Sequence, residues 1–178
     1  MAKLNDKNEN TQKIIHLMIT EKCNRKCPYC CNNQYDINKI EIVTKEEMSN
    51  AEIIFLTGGE PFAYADPCAL AKQIKVNFPN IKKVFVYTNS IELADYIRNS
   101  GSIYSIDGVT VSIKNKRDKE NFEQIIAKDK DICNLGSNWL YVFPGFQDTI
   151  APESFTKKMR YWQKDFIPAS DSIFRRLY

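Results

Sequence analysis

The chain has 178 residues, 43% of them hydrophobic, which is enough for one domain with a sizeable buried core. Its 25 basic and 22 acidic residues leave a formal net charge of +3, too small to indicate a nucleic-acid or membrane partner. No apolar run approaches the ~20 residues of a membrane helix, and residues 1–13 contain no apolar signal core. We therefore expect a cytoplasmic protein that binds neither a membrane nor nucleic acid.

Apolar runs and amphipathic stretches alternate along the chain. The polar residues 1–13 predict a flexible N-terminal segment, and residues 14–178 are expected to form a single domain. Strands are predicted at residues 14–19, 53–56, 84–87, 109–113 and 139–143, and helices at residues 66–78, 91–99, 116–128 and 152–164, with a further helix beginning after Thr44. Gly101 is expected to end the helix that precedes it, and the tail after Ile167 has no clear pattern.

This alternation predicts an α/β fold with a mostly parallel sheet of about five or six strands. A complete eight-stranded barrel needs at least ~200 residues, so we expect an open sheet or a partial barrel. In such folds ligands bind at the carboxyl ends of the strands. A polar or cysteine-rich segment follows each of the first four predicted strands. In chain order these segments are the cysteine-rich loop, then residues 58–61, 88–90 and 114–115. The sequence therefore predicts one site at this edge of the sheet.

The cysteine loop carries Cys23, Cys27 and Cys30 within one short stretch. Iron–sulfur clusters are usually held by four cysteines, so three would leave one iron open for a ligand. The alternative is a zinc site, which normally needs four protein ligands. Cys31 adjoins Cys30 too closely for easy binding to the same metal, and His16, the only histidine, lies on a strand. We favour an iron–sulfur cluster, and expect the remaining thiols to be free cysteines: Cys31, Cys68 and Cys133.

The second predicted strand is followed by a short turn, Gly58, Gly59, Glu60 and Pro61. The two glycines permit positive φ and a close approach of the backbone to a ligand, and Glu60 brings a carboxylate to the same end of the sheet. Pro61 stiffens the exit from the turn. Taken alone, this could be an ordinary turn between a strand and a helix.

The two motifs together resemble the radical S-adenosylmethionine (radical SAM) superfamily. The resemblance rests on the spacing of the three cysteines, on the aromatic Tyr29 before the third, and on the Gly-Gly-Glu-Pro turn. It implies a partial β/α barrel, a 4Fe–4S cluster held by the three cysteines, and S-adenosylmethionine bound to the fourth iron. It further implies that Tyr29 lies against the adenine and that the glycine turn receives the cofactor's amino group. A one-electron donor of the flavodoxin or ferredoxin type would drive cleavage to a 5′-deoxyadenosyl radical, which takes a hydrogen atom from a substrate.

Weaker candidates follow the third and fourth predicted strands. Thr88 and Asn89 could bond the ribose or carboxylate of the cofactor, or Asn89 could instead cap a helix. The superfamily often has glycine where this chain has Ser90. Ser112 and Lys114 point the same way along a strand, and activating enzymes of glycyl-radical proteins carry Asp-x-Lys in a similar strand. Lys114 is our catalytic candidate, pairing with a carboxylate, although it could be a surface lysine.

The substrate is open from the sequence. Asn32 matches the Cys-His-Asn that commonly follows the third cysteine in those activating enzymes, which favours activation of a glycyl-radical protein partner. The alternatives are radical tailoring of a peptide or of a nucleoside-like small molecule. The 7-carboxy-7-deazaguanine synthases act in the latter way, but their Asp-Thr is absent here. A hypothesis of another class is a non-catalytic iron–sulfur electron carrier or a zinc module. Trp139, Tyr141 and Phe143 are expected to belong mainly to the core.

Overall fold

The structure is a computed structural model, and it describes residues 13–100, 102–128, 131–164 and 170–178. The described strands are β1 (Ile14–Thr20), β2 (Ile53–Gly58), β3 (Lys83–Thr88), β4 (Gly108–Ile113), β5 (Asn138–Val142), β6 (Phe155–Met159) and β7 (Ser172–Arg176). They form one sheet in the order β6-β5-β4-β3-β2-β1-β7, and every neighbouring pair is parallel. The predicted α/β fold is confirmed, and the arrangement is consistent with a partial barrel. The predicted number of strands was too low.

The helices lie between the strands as the alternation predicts. They are α1 (Lys45–Asn50), α2 (Pro61–Tyr64), α3 (Pro67–Asn77), α4 (Ile91–Ser100) and α5 (Lys116–Lys128). The Thr44 side chain accepts a hydrogen bond from the Glu47 backbone N–H, and Glu47 accepts one from Thr44 in return, which fixes the start of α1. The N-terminal segment predicted at residues 1–13 lies outside the described residues except for Lys13, and so does Gly101.

The helix predicted at residues 152–164 is wrong. Residues 155–159 form the edge strand β6 instead, which pairs with β5 along its whole length. Lys158 lies 4.2 Å from the ring centroid of Trp139, and the guanidinium of Arg160, just past β6, lies 4.3 Å from that of Tyr141. These cation–π contacts hold cationic side chains against β5, and their partners are too distant in sequence to show in a local pattern. β7, which the sequence did not reveal, pairs with β1 from the other end of the chain.

One face of the sheet carries the main hydrophobic core. Alternate strand residues are fully buried there, among them Ile15, Leu17, Ile54, Leu56, Val84 and Val86. They pack in one cluster with apolar helix residues such as Leu93 and Phe122. Cys68 belongs to this core, and all six cysteines are free thiols. Because β1–β4 are parallel, the loops that follow them meet at the carboxyl edge of the sheet. No helix in the described residues has the length and apolar character to cross a membrane.

Candidate active site

Most of the predicted site residues line one cavity of about 230 Å³ at the carboxyl edge of the sheet. They are Cys23, Cys27, Tyr29, Cys30, Gly58, Gly59, Glu60, Thr88, Asn89, Ser112 and Lys114. Two candidates do not line it. Pro61 is buried at the first position of α2, and the Asn32 side chain accepts a hydrogen bond of 2.6 Å from the Tyr35 hydroxyl. The cavity thus unites the cysteine loop with the ends of β2, β3 and β4.

The two glycines of the turn lie directly against the start of the cysteine loop. The Gly59 N–H donates to the carbonyl of Thr20 at 2.8 Å, and the Glu60 N–H donates to that of Lys22 at 2.9 Å. A Cβ at Gly58 would lie 2.0 Å from the Thr20 oxygen, and one at Gly59 would lie 1.9 Å from the Lys22 oxygen. Gly58 also has a φ of +140°, which favours glycine. The close approach predicted for a ligand is therefore made by the chain itself, and it sets where Cys23 begins the loop.

Glu60 is buried and binds the end of β3. Its carboxylate accepts hydrogen bonds from the Thr88 hydroxyl at 2.7 Å, from the Asn89 backbone N–H at 2.7 Å, and from the Phe62 N–H at 3.4 Å. Burial raises the pKa of Glu60 above its usual value, and the bonds from Asn89 and Thr88 oppose that shift. The carboxylate therefore holds the turn after β2 against the loop after β3.

Asn24 and Arg25 hold the cysteine loop to neighbouring elements. Asn24 accepts a hydrogen bond of 2.8 Å from the Asn89 side-chain amide. The Arg25 guanidinium bonds both carboxylate oxygens of Asp118 in the first turn of α5, one of them at 2.6 Å. The Asp118 side chain is fully buried, and it also accepts a hydrogen bond of 2.9 Å from the Lys114 backbone N–H. No pattern in the sequence predicts this ion pair, because its partners are 93 residues apart and an acid early in a helix is common.

Asn89 makes the contact at a helix start that one interpretation predicts, and its predicted contact with the cofactor stays a prediction. It lines the cavity, and its side-chain oxygen also accepts a hydrogen bond of 3.1 Å from the Ile91 N–H at the start of α4. The residue after it, Ser90, is fully buried with a φ of +71°. A non-glycine residue in this left-handed conformation costs about 1–2 kcal/mol, which explains why glycine suits the position.

Replacing Ser90 with glycine is therefore expected to leave stability unchanged or to raise it by up to about 1 kcal/mol. The relief of strain outweighs the weak 3.4 Å hydrogen bond from the Ser90 hydroxyl to the Asp118 carbonyl. Ser90→Val should destabilise by at least about 2 kcal/mol, because a branched side chain fits neither the conformation nor the space. Urea unfolding of the two variants measures this difference. Equal stabilities would contradict the account.

The thiols of the cysteine loop differ in their electrostatic surroundings. A hydrogen bond from the neighbouring Cys31 thiol lowers the pKa of Cys30 to about 6, whereas burial raises the pKa of Cys23. Cys31 lines the cavity too, although the sequence analysis gave it no role. Soft thiolates gathered at one cavity suit iron–sulfur chemistry or zinc.

Aromatic residues and a lysine form one wall of the cavity. The Lys114 ammonium lies 5.8 Å from the ring centroid of Phe143 and 5.7 Å from that of Trp162. The Trp162 ring lies 6.0 Å from that of Tyr29, so this wall meets the cysteine loop. Trp162 was predicted to lie in a helix, and Phe143 mainly in the core. Their proximity to Lys114 depends on how the chain leaves β5 and β6, which no local pattern reveals.

Comparison with known proteins decides the family. The family model described as "Radical SAM superfamily" matches residues 17–132, which is more than half of the chain. The chain belongs to the radical SAM superfamily, and it is an enzyme of that superfamily. The predicted resemblance is therefore confirmed.

Several curated relatives of this radical SAM chain share one name. It is 29% identical over 140 residues to the GTP 3',8-cyclase of Haemophilus influenzae, covering 72% of this chain and 41% of that protein. It is 30% identical over 127 residues to that of Pasteurella multocida, covering 65% and 37%. It is 29% identical over 110 residues to the probable enzyme of Methanocaldococcus jannaschii, covering 55% and 36%. The chain spans about two fifths of the length of these relatives.

Members of the superfamily use a 4Fe–4S cluster and S-adenosylmethionine, and the residues present fit both groups. Three cysteines at superfamily spacing line one cavity with the glycine turn. Among the described residues, no three Cys, His, Asp or Glu side chains converge closely enough for a single metal ion. A cluster does not need that convergence, because each thiolate binds a different iron. Phe143 and Trp162 lie beyond the residues that the family model matches.

Proposed function

We propose that this enzyme holds a 4Fe–4S cluster through Cys23, Cys27 and Cys30, binds S-adenosylmethionine beside it, and acts on a small nucleotide-like molecule. One observation carries the proposal: the three thiols and the glycines of the superfamily turn share a cavity with Lys114 and with aromatic side chains that include Phe143 and Trp162. When bound, the two groups supply a one-electron cleavage, and the radical that it produces removes a hydrogen atom from a substrate.

The chain's own residues would bind and orient the cofactor. The backbone of Gly58 and Gly59 reaches the cavity without side chains and would receive the cofactor's amino group. Tyr29, which is half exposed, would lie against the adenine. Thr88 and Asn89, already placed by Glu60, offer polar atoms for the ribose or carboxylate.

Lys114 and Ser112 line the cavity from the β4 side. Lys114 forms no ion pair with any residue in the described parts of the chain, so its charge is available to a carboxylate of the cofactor or to an anionic substrate. Pro61 and Asn32, by contrast, would act only indirectly, by supporting α2 and the end of the cysteine loop.

The substrate class rests on two kinds of support. The curated relatives are named for a reaction of GTP. The wall formed by Phe143, Trp162 and Lys114 offers ring faces and a positive charge, which suit a planar, anionic molecule. Activation of a glycyl-radical enzyme ranks second, because Asn32, which favoured it, lies outside the cavity lining and bonds Tyr35. Family membership argues against the non-catalytic carrier and the zinc module.

Single cysteine replacements test the cluster ligands. After anaerobic reconstitution, Cys23→Ala, Cys27→Ala and Cys30→Ala are each expected to lose most of the bound iron and to form no 5′-deoxyadenosine on reduction with S-adenosylmethionine. Cys68→Ala is the matched control, because its thiol lies in the hydrophobic core. Its iron content should equal that of the wild type. If Cys68→Ala lost the cluster while the other three variants kept it, the ligand set would be wrong.

Turnover with added nucleotides tests the substrate class. The reconstituted enzyme is expected to form 5′-deoxyadenosine several times faster with a purine nucleoside triphosphate than without one, and Trp162→Ala should abolish that difference. A rate that responds to a partner protein but to none of the common nucleotides would overturn the nucleotide proposal and favour glycyl-radical activation.

A further inference from the structure

A second cavity lies on the outer side of the cysteine loop. It has a volume of about 440 Å³ and lies between that loop, the start of α4 and the start of α5. Its lining comprises Asn24, Arg25, Lys26, Cys27, Pro28, Ile91, Lys114, Asn115, Arg117 and Trp162. Four of these side chains are cationic, and no carboxylate of the described residues lines the cavity.

Two of the four cations are free to meet a partner. Arg25 is neutralised by Asp118, and Lys114 faces the candidate active site. Lys26 and Arg117 are exposed, and neither forms an ion pair with a residue in the described ranges. Elsewhere on the surface several lysines and arginines pair with carboxylates, as Arg98 does with Asp95. We call the surface around Lys26 and Arg117 the basic surface.

Three carboxylates of the helices next to this cavity have partners. Asp118 is buried against Arg25, and Glu92 accepts a hydrogen bond of 3.1 Å from the Asn24 amide. Glu120 lies 3.6 Å from Lys116 on the exposed side of α5. The charges of Lys26 and Arg117 have no paired carboxylate among the described residues, and none of those residues brings a carboxylate to the cavity lining.

Cys27 belongs to the lining of both cavities. If Cys27 holds the cluster, its sulfur binds an iron atom while the same residue lines the cavity at the basic surface. Cys27 alone would then connect that surface to the cluster. A protein bound at the basic surface would thus be separated from the cluster by little more than the cysteine loop.

We propose that the basic surface docks an acidic one-electron carrier protein, which reduces the cluster through the Cys27 segment. This inference rests on the proposed function, because it needs the cluster. The step balances: the carrier is oxidised by one electron, and the cluster passes from the 2+ to the 1+ state. Opposite charges on the two proteins speed their encounter, and added salt should slow it.

The test compares a protein reductant with a small one. The double variant Lys26→Glu, Arg117→Glu is reconstituted, and cluster reduction is followed by the bleaching of its visible absorbance. With a reduced acidic flavodoxin or ferredoxin at low salt, the second-order rate constant should fall about tenfold or more. Reduction by dithionite should stay within about twofold of the wild-type rate. Isothermal titration with the oxidised carrier should show the same loss of affinity without any redox step.

The matched control is Lys72→Glu, Lys83→Glu, which makes the same charge change at two exposed lysines away from the cysteine loop. Its rate should equal that of the wild type with either reductant. Three outcomes would overturn the proposal. The Lys26, Arg117 variant could be reduced by the carrier at an unchanged rate, both double variants could lose rate equally, or neither carrier could reduce the wild type. If charge reversal lowers iron content, Lys26→Gln, Arg117→Gln replaces it and should give an intermediate loss. A wild type that forms no cluster contradicts the proposed function instead.

Discussion

Replacing Arg25 with alanine is expected to lower the free energy of unfolding of the apoprotein by about 3–5 kcal/mol. The Asp118 side chain is fully buried, and the Arg25 side chain is only 10% exposed. Without the guanidinium, the carboxylate keeps one backbone hydrogen bond, from Lys114, and loses its opposite charge. Urea unfolding under anaerobic, reducing conditions measures the loss. The cysteine loop also loses its tie to α5, so iron uptake on reconstitution should fall several-fold.

The Arg98→Ala variant is the control for this experiment. Arg98 pairs with Asp95 on the surface of α4, where both side chains are more than half exposed, so its loss should cost no more than about 0.5 kcal/mol. The double variant Arg25→Ala, Asp118→Ala should be less destabilised than the sum of the single changes, because no buried charge is then left alone. An Arg25→Ala protein as stable as Arg98→Ala would refute the role of the buried ion pair.

Replacing Gly59 with alanine should displace the cysteine loop and prevent normal cluster assembly. The new Cβ would lie 1.9 Å from the Lys22 carbonyl oxygen and 2.9 Å from the Cys23 backbone nitrogen. Both neighbours are backbone atoms, which cannot rotate away, so the cost should reach or exceed the ~1–3 kcal/mol of ordinary overpacking. Iron content after reconstitution is expected to fall to less than half of the wild-type value.

Gly136→Ala provides the comparison, because the nearest atom to its Cβ, the Asp107 carbonyl oxygen, would lie 3.9 Å away. This variant should match the wild type in stability and in iron content. Wild-type iron binding by Gly59→Ala would mean that the cysteine loop does not depend on the turn after β2.

The sequence predicted the parts of the site that depend on local spacing. The order of β1–β4 predicts that the three cysteines and the Gly-Gly-Glu-Pro turn lie together, because parallel strands bring successive loops to the same edge. The bounds predicted for α5 agree with the structure, since Phe122 and Ile125 mark its buried side at helical spacing. The sequence predicted a close approach of the backbone to a ligand at the two glycines, but the atoms that leave no room for a side chain there belong to Thr20 and Lys22.

The missed features depend on contacts between distant residues. The segment that forms β6 has one buried residue, Phe155, and four exposed ones, so no strand-like alternation of buried and exposed residues marks it. β7 forms only by pairing with β1, and Arg25 finds Asp118 across the site. Trp162 reaches Tyr29 only once β6 is in place. Such pairings are set by the assembled sheet and not by local preference.

The electron paramagnetic resonance spectrum of the reduced, reconstituted enzyme, recorded with and without S-adenosylmethionine, tests the central claim most directly. If Cys23, Cys27 and Cys30 leave one iron open, the cofactor binds that iron and the spectrum of the 4Fe–4S cluster changes, with 5′-deoxyadenosine appearing on turnover. A spectrum that is identical with and without the cofactor, together with no 5′-deoxyadenosine, would contradict it.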